Sequence, residues 1–281
     1  MPIDSQRVDQ LKKYLQDRGD IVMVFILGSQ ARKQAIAESD FDIAVYYKTK
    51  GRELEWEKKC EYPNEDSLGL EIQKIVGLPV DLVVLNRAPA NFAAEIIRTG
   101  VPLIIKDKNL YWRFFLLVSA AADEFRDVVH DWLIIRERSA SLSEEDRRRL
   151  IRAVDFLESE LKESSKFNAL SQREYEIDSD KRRNIERWVE NIVNASIDIA
   201  KIILASEKKP LPETYAEVIL NLGLLEEFNN EASRQLAEFA RLRNILAHEY
   251  LDLRYYKIKK FSGEAERLYS VLLKFAKKKI I

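Results

Sequence analysis

Apolar residues in the first part of the chain form short, continuous runs separated by stretches of helical spacing. Runs of this length, bounded by Gly, Pro and Asp, are typical of buried strands. Between them, apolar residues recur three or four positions apart, which predicts amphipathic helices. Strands mixed with helices predict an α/β or α+β layer in which helices cover a sheet. The predicted strands lie at residues 21–27, 41–47, 79–85 and 101–106, and the predicted helices at 5–18, 65–76 and 89–99.

The pattern changes after residue 107, where helical spacing continues almost to the last residue. A long helix is predicted over 108–138, and Pro212 with Glu213 resembles a helix start. This shift predicts two domains, an N-terminal α+β domain over 1–138 and an all-helical bundle over 139–281. Further helices are predicted near 143–163, 181–205, 211–222, 228–247 and 262–279.

The composition of the chain excludes several classes of protein. The 281 residues include 46 basic and 47 acidic side chains, so any surface for nucleic acid or anionic lipid must be local. A single cysteine, Cys60, excludes an internal disulfide and a cysteine-rich zinc site. The longest apolar runs, 21–28 and 114–122, are shorter than the ~20 residues that span a bilayer. The first residues lack the apolar core of a signal peptide, so we expect a cytoplasmic protein outside the membrane.

The first candidate site lies at the ends of the predicted strands. Gly28 and Ser29 end the first strand, Asp40 and Asp42 begin the second, and Asp81 begins the third. Strand alternation puts Asp40 and Asp42 on one sheet face, and Asp81 joins them if the strands are neighbours. Carboxylates suit Mg²⁺, and two such ions can hold a nucleotide's phosphates and activate a hydroxyl. Gly28 lets backbone N–H groups approach a phosphate, and the Ser29 hydroxyl can donate to it.

The spacing of these residues resembles the active-site motif of a known enzyme superfamily. The pattern G-S-x10-D-x-D with a later strand aspartate is similar to the nucleotidyltransferase fold of the DNA polymerase beta superfamily, particularly its minimal nucleotidyltransferase (MNT) family, to about residue 110. The resemblance implies a mixed sheet with helices, in which Asp40 and Asp42 bind two Mg²⁺ ions. It implies that Asp81 binds one ion and activates the acceptor hydroxyl. Gly28 and Ser29 would hold the β- and γ-phosphates of a nucleoside triphosphate.

The second candidate site lies on a late helix, where Arg243, Asn244, His248 and Tyr250 form R-N-x3-H-x-Y. In metal-independent RNA cleavage, His248 could move a proton and Arg243 could stabilise phosphate charge, while Asn244 orients either group. Arg243 and His248 are five residues apart and converge poorly on an ideal helix. A two-fold dimer interface would overcome this. Purely structural roles also fit these residues. His248 could be a histidine at a helix end, Arg243 a partner in a surface ion pair, and Tyr250 an aromatic residue of the core.

This late motif resembles the HEPN superfamily, specifically the HepT-like ribonuclease toxins, over about 140–281. The resemblance implies that Arg243 and His248 form the nuclease pair and that Asn244 is its accompanying polar residue. MNT proteins are the antitoxins of such toxins, so the chain resembles a fusion of the two. In the paired systems, AMP passes from ATP to the motif tyrosine, which implies that Tyr250 is the acceptor and ATP the substrate. RNA and a second copy of the chain are the implied partners.

Other interpretations remain open. A nucleotidyltransferase domain before a helical bundle also resembles the aminoglycoside nucleotidyltransferases, in which the acidic segments 61–66 and 143–146 could serve the substrate. A catalytically silent scaffold is a third interpretation. The segment 254–281 holds nine Lys and Arg against two Glu. It is either an RNA-binding surface or a solvated amphipathic helix.

Overall fold

The computed structural model describes residues 4–31, 40–49, 51, 54–58, 60–138, 141–248 and 255–280. The chain forms two compact units, Met1–Asp123 and Glu124–Ile281. Their boundary falls inside one long helix, α5 (Lys108–Arg138). The helical periodicity runs through this point without a break, and for this reason the sequence pattern suggested a boundary at the helix end, between 138 and 139.

The first unit contains a four-stranded mixed sheet. Its order is β3-β2-β1-β4, with β1 antiparallel to both β2 and β4, and β2 parallel to β3. The predicted α+β class with a mixed sheet is therefore confirmed. The strands are β1 (Ile21–Ile26), β2 (Phe41–Tyr47), β3 (Val80–Val84) and β4 (Val101–Ile105).

Helices cover both faces of this sheet. One apolar cluster joins the strands to α4 (Ala90–Thr99) and to the first half of α5. The other joins them to α1 (Ser5–Asp17) and α3 (Glu65–Val76). Because both faces of β1 are buried, its sequence is continuously apolar rather than alternating. A short helix, α2 (Gly28–Ala31), follows β1.

The second unit is a helical bundle built around α9 (Ser179–Ser206), whose neighbours include α6, α10, α11 and α12. One apolar cluster runs through this unit. Within the described residues, no helix is long and apolar enough to cross a membrane. The other helices are α6 (Glu144–Leu161), α7 (Ser164–Asn168), α8 (Gln172–Ile177), α10 (Tyr215–Leu220), α11 (Asn230–His248) and α12 (Tyr255–Ile280), with a 3₁₀ turn at Asn221–Leu224.

Three helix predictions differ from the structure, and two of the differences lie at capped helix starts. The start predicted at Pro212 and Glu213 lies instead at Tyr215, because the Thr214 side chain accepts a hydrogen bond from the Glu217 N–H at 3.1 Å. The short α8 was not predicted, although Ser171 and Glu174 form a capping box at its start. The last helix begins at 255 rather than near 262.

Candidate active sites

The aspartates of the first candidate site lie at the starts of β2 and β3, two neighbouring parallel strands. Asp42 lies directly opposite Asp81 in the parallel β2–β3 pair. Paired residues in register project to the same sheet face. Asp81 is exposed and Asp42 is half-buried, while Asp40 lies exposed immediately before β2. Phe41, between the two aspartates, is fully buried and anchors the strand by donating its N–H to the Pro79 carbonyl at 2.8 Å.

Gly28 lies against the Asp42 carboxylate. Its backbone has φ of +61°, and a Cβ added there would overlap the Asp42 carboxylate. The Leu27 N–H donates to the Asp42 carbonyl at 2.9 Å, which keeps the end of β1 beside the start of β2. Ser29 follows in α2 and is half-buried. Both the backbone conformation and the close approach therefore favour glycine at this position.

The donor set suits a hard divalent cation, because every candidate ligand is a carboxylate oxygen. Across the part of the chain that the structure describes, no three His, Cys, Asp or Glu side chains converge closely enough to form a metal cluster. The strand register nevertheless brings Asp42 and Asp81 to adjacent positions. The segment 32–39 lies outside the described residues.

Arg243 of the second candidate site is held inside the helical unit. Its Nη2 forms an ion pair with Glu124 of α5, and its side chain is only 15% exposed. The guanidinium carbon lies 4.4 Å from the ring centroid of Tyr215, a cation–π distance. Tyr215 in turn packs edge-on against Phe125 at 5.1 Å. Arg243 therefore forms an ion pair, as one structural interpretation predicted, but its own side chain is mostly buried rather than at the surface.

The rest of this motif is only partly described. Asn244 is buried beside Arg243, at 5% exposure. His248 is the last residue of α11, and its side chain lies outside the described atoms. Tyr250, the predicted acceptor, also lies outside the described residues. Among described residues, the Nη1 atom of Arg243 is buried without a hydrogen-bond partner.

Sequence reasoning missed the groups that hold Arg243. Glu124 and Tyr215 are far from the motif along the chain and carry no local pattern that marks them. Their role follows only from the packing of α5 and α10 around α11. Glu124 lies on the long helix whose sequence predicted only amphipathic packing.

The basic C-terminal segment behaves mainly as a packed amphipathic helix. Phe261 of α12 is fully buried rather than available to stack on a base. Several of its lysines pair with acidic residues of the same unit, at 2.8 Å for Lys277 with Glu158 and 2.8 Å for Lys279 with Glu207. These ion pairs offset part of the local positive charge and weaken the interpretation of this segment as an RNA surface.

Comparison with known proteins identifies the class of each unit. Residues 9–109 match the family model "Polymerase beta, Nucleotidyltransferase", and residues 157–272 match "Ribonuclease HepT-like". The chain therefore contains a nucleotidyltransferase domain of the polymerase beta type. It also contains a HepT-like HEPN domain, so it is a fusion of the two domain families that its motifs predicted.

Individual relatives match parts of the chain. A tRNA nuclease HepT from Aphanizomenon flos-aquae is 33% identical over 88 residues, which cover 31% of this chain and 60% of that protein. A toxin–antitoxin crystal structure with AMP-PNP has a TM-score of 0.36 and 17% identity, covering 43% of this chain and 90% of that chain. The structure of a mutant of the toxin–antitoxin MntA-HpeT has a TM-score of 0.35 and 16% identity. The match covers 43% of this chain and 89% of that chain.

Proposed function

We propose that the first unit is an Mg²⁺-dependent adenylyltransferase that transfers AMP from ATP to Tyr250. We further propose that the HEPN unit is a ribonuclease regulated by this modification. The observation that carries the transferase proposal is the register of Asp42 opposite Asp81, with the Gly28 backbone against the Asp42 carboxylate. The relative named tRNA nuclease HepT supports the nuclease proposal.

The transfer step uses the carboxylates in separate roles. Asp81, the more exposed of the opposed pair, accepts the proton of the Tyr250 hydroxyl. The tyrosine oxygen forms a bond to the α-phosphorus of ATP as the bond from that phosphorus to the pyrophosphate oxygen breaks. Mg²⁺ held by Asp40, Asp42 and Asp81 would stabilise the charge on the phosphates. Gly28 and Ser29 orient the phosphates that leave as pyrophosphate.

The nuclease step needs only groups of the HEPN unit. The 2′-hydroxyl of RNA attacks the adjacent phosphorus, His248 moves the proton, and the leaving 5′-oxygen is protonated. Arg243, whose Nη2 is held by Glu124, stabilises the charge on the phosphate. A homodimer would bring two copies of α11 together and let Arg243 and His248 converge. AMP on Tyr250 adds negative charge two residues from His248 and repels RNA.

Intact-protein mass spectrometry tests the transferase. The full chain is incubated with ATP and Mg²⁺ and compared with Asp42→Asn and Tyr250→Phe. Asp9→Asn is the matched control, because Asp9 is an exposed aspartate of α1 that belongs to neither candidate site. We expect AMP mass on the wild type and on the control but on neither test variant. The purified protein is weighed first, because it can already carry AMP.

Two results would contradict the proposal. AMP mass on Tyr250→Phe would show that another residue is the acceptor. An unmodified protein that gains no mass, yet consumes ATP when an aminoglycoside is supplied, would support the small-molecule alternative instead. The nuclease half is tested with Tyr250→Phe, which we expect to cleave RNA continuously, whereas Tyr250→Phe combined with His248→Ala should not cleave it.

A further inference from the structure

A groove between α6 and α9 lies apart from the Arg243 cluster. Its volume is about 370 Å³, within the usual size range of ligand sites. Ala153 and Ala195 line it, and their small side chains leave space between the two helices. The fully packed Ile202 closes one part of the wall. Neither active-site proposal uses any residue of this groove.

The groove contains polar groups without partners. Arg152 is exposed and, among the described residues, makes no ion pair or hydrogen bond. Asn191 and Asn194 lie one helical turn apart and are half-buried. Within the same described ranges, neither amide side chain has a hydrogen-bond partner. Each amide therefore presents donors and an acceptor to whatever occupies the groove.

The other charges of the groove are already paired. Asp198 accepts a hydrogen bond from Lys201 at 2.8 Å, and Arg149 donates to Asp131 at 2.9 Å. Lys201 also pairs with Asp131 at 2.7 Å. The acidic Asp198 is thus offset, and Arg152 supplies the positive charge that remains available. This charge favours an anionic ligand such as a phosphodiester.

Phe156 adds an aromatic surface to the same groove. Its ring is 45% exposed although it belongs to a helix whose other face is packed. An exposed ring beside a free guanidinium and two amides matches the way single-stranded nucleic acid is bound. A base stacks on the ring, the phosphate pairs with arginine, and amides bond to base edges.

We propose that this groove binds single-stranded RNA, with a base on Phe156, a phosphate on Arg152 and base edges on Asn191 and Asn194. The proposal rests on the proposed RNA role of the HEPN unit and states where that unit holds its substrate outside the cleavage motif.

Fluorescence anisotropy of the full chain tests the groove. The probe is a short, fluorescein-labelled single-stranded RNA of mixed sequence with 2′-O-methyl groups, which prevent cleavage. We expect Arg152→Glu and Phe156→Ala each to raise the dissociation constant by about tenfold or more. Arg173→Glu is the matched control, because Arg173 is an exposed, unpaired arginine of α8 in the described chain that does not line the groove. It should bind like the wild type.

Three results would overturn the groove proposal: no RNA binding by the wild type, equal binding by all variants, or equal weakening by Arg173→Glu. Sedimentation provides a fourth. If Arg152→Glu or Phe156→Ala converts a dimer to a monomer, the groove is an interface between copies instead. The proposed activities are read separately. If RNA binding depends on Arg152 but no RNA is cleaved, the groove proposal is supported and the nuclease proposal is contradicted. If RNA is cleaved but Arg152→Glu leaves the affinity for RNA unchanged, the nuclease proposal is supported and the groove proposal is contradicted.

Discussion

At position 28, both the backbone conformation and the neighbouring Asp42 side chain favour glycine. A positive φ is unfavourable for residues with a Cβ, and the Asp42 carboxylate occupies the space that a Cβ would need. Gly69, in contrast, lies inside α3 with nothing within 4 Å of an added Cβ. The two glycines therefore allow a comparison of one substitution in opposite surroundings.

We predict that Gly28→Ala lowers the free energy of unfolding by about 1–2 kcal/mol and abolishes AMP transfer, because the Asp42 carboxylate must move. Gly69→Ala should stabilise the protein by about 0.5–1 kcal/mol, since alanine is favoured inside helices, and leave transfer intact. Thermal unfolding and mass spectrometry measure the two effects. Normal AMP transfer by Gly28→Ala would show that the close approach to Asp42 is not needed for the reaction.

Three helices of the HEPN unit are joined by an ion-pair cluster around Asp131. Asp131 of α5 accepts hydrogen bonds from Arg149 of α6 and pairs with Lys201 of α9. Burial alone would raise the pKa of Asp131, but the hydrogen bonds from Arg149 and Lys201 outweigh it and lower the pKa to about 2. The cluster therefore stabilises the packing of α5, α6 and α9 in a pH-dependent manner.

We predict that Asp131→Asn destabilises the HEPN unit by about 2 kcal/mol at neutral pH, because it removes the ionised partner of Arg149 and one of the two carboxylates that pair with the mostly buried Lys201. Because the pKa of Asp131 is lowered in the folded protein, the difference in free energy of unfolding between wild type and Asp131→Asn is fully present above the ordinary aspartate pKa of about 4. This difference in stability is lost as the pH falls from about 4 toward about 2, where Asp131 becomes protonated in the folded protein. Urea unfolding followed by circular dichroism measures it.

The matched control for this cluster is Asp127→Asn on the same helix, because Asp127 is exposed and, in the described chain, unpaired. It should change the free energy of unfolding by less than about 0.5 kcal/mol at every pH. A difference between wild type and Asp131→Asn that does not shrink in acid would show that the ionised carboxylate is not the source of the stability.

At the scale of the whole molecule, α5 contributes to two separate cores. Phe114 is fully buried in a cluster with the sheet and α4, and it packs edge-on against Tyr46 at 4.9 Å. Trp132, eighteen residues later on the same helix, is fully buried in the cluster of the helical bundle. The division between the two units lies between these positions.

We predict that Phe114→Ala lowers the stability of the first unit by about 3–5 kcal/mol and that Trp132→Ala does the same to the second. Hydrogen exchange of the full chain, read by mass spectrometry, should show faster exchange in one unit for each variant. Equal acceleration in both units by either variant would mean that the two cores unfold as a single cooperative block.

Much of this protein was predictable from local sequence. The strand at 41–47 and the helix at 65–76 were predicted at their observed bounds, because both depend on periodicity between near neighbours. The spacing of Gly28, Ser29, Asp40, Asp42 and Asp81 also indicated the nucleotidyltransferase domain, and the late R-N-x3-H-x-Y motif indicated the HEPN domain. These motifs are compact enough to be read along the chain.

Other features follow only from tertiary structure. Asp81 opposes Asp42 because β3 pairs in parallel with β2, a register that no local pattern specifies. Glu124 and Tyr215 hold Arg243, and the fully buried Asn86 accepts the Tyr47 N–H at 2.8 Å, because folding brings distant segments together. The sequence by itself determined the four strands, most of the helices and the two domain families. Packing decided where the units divide and which groups surround each site, since those contacts join residues far apart in the chain.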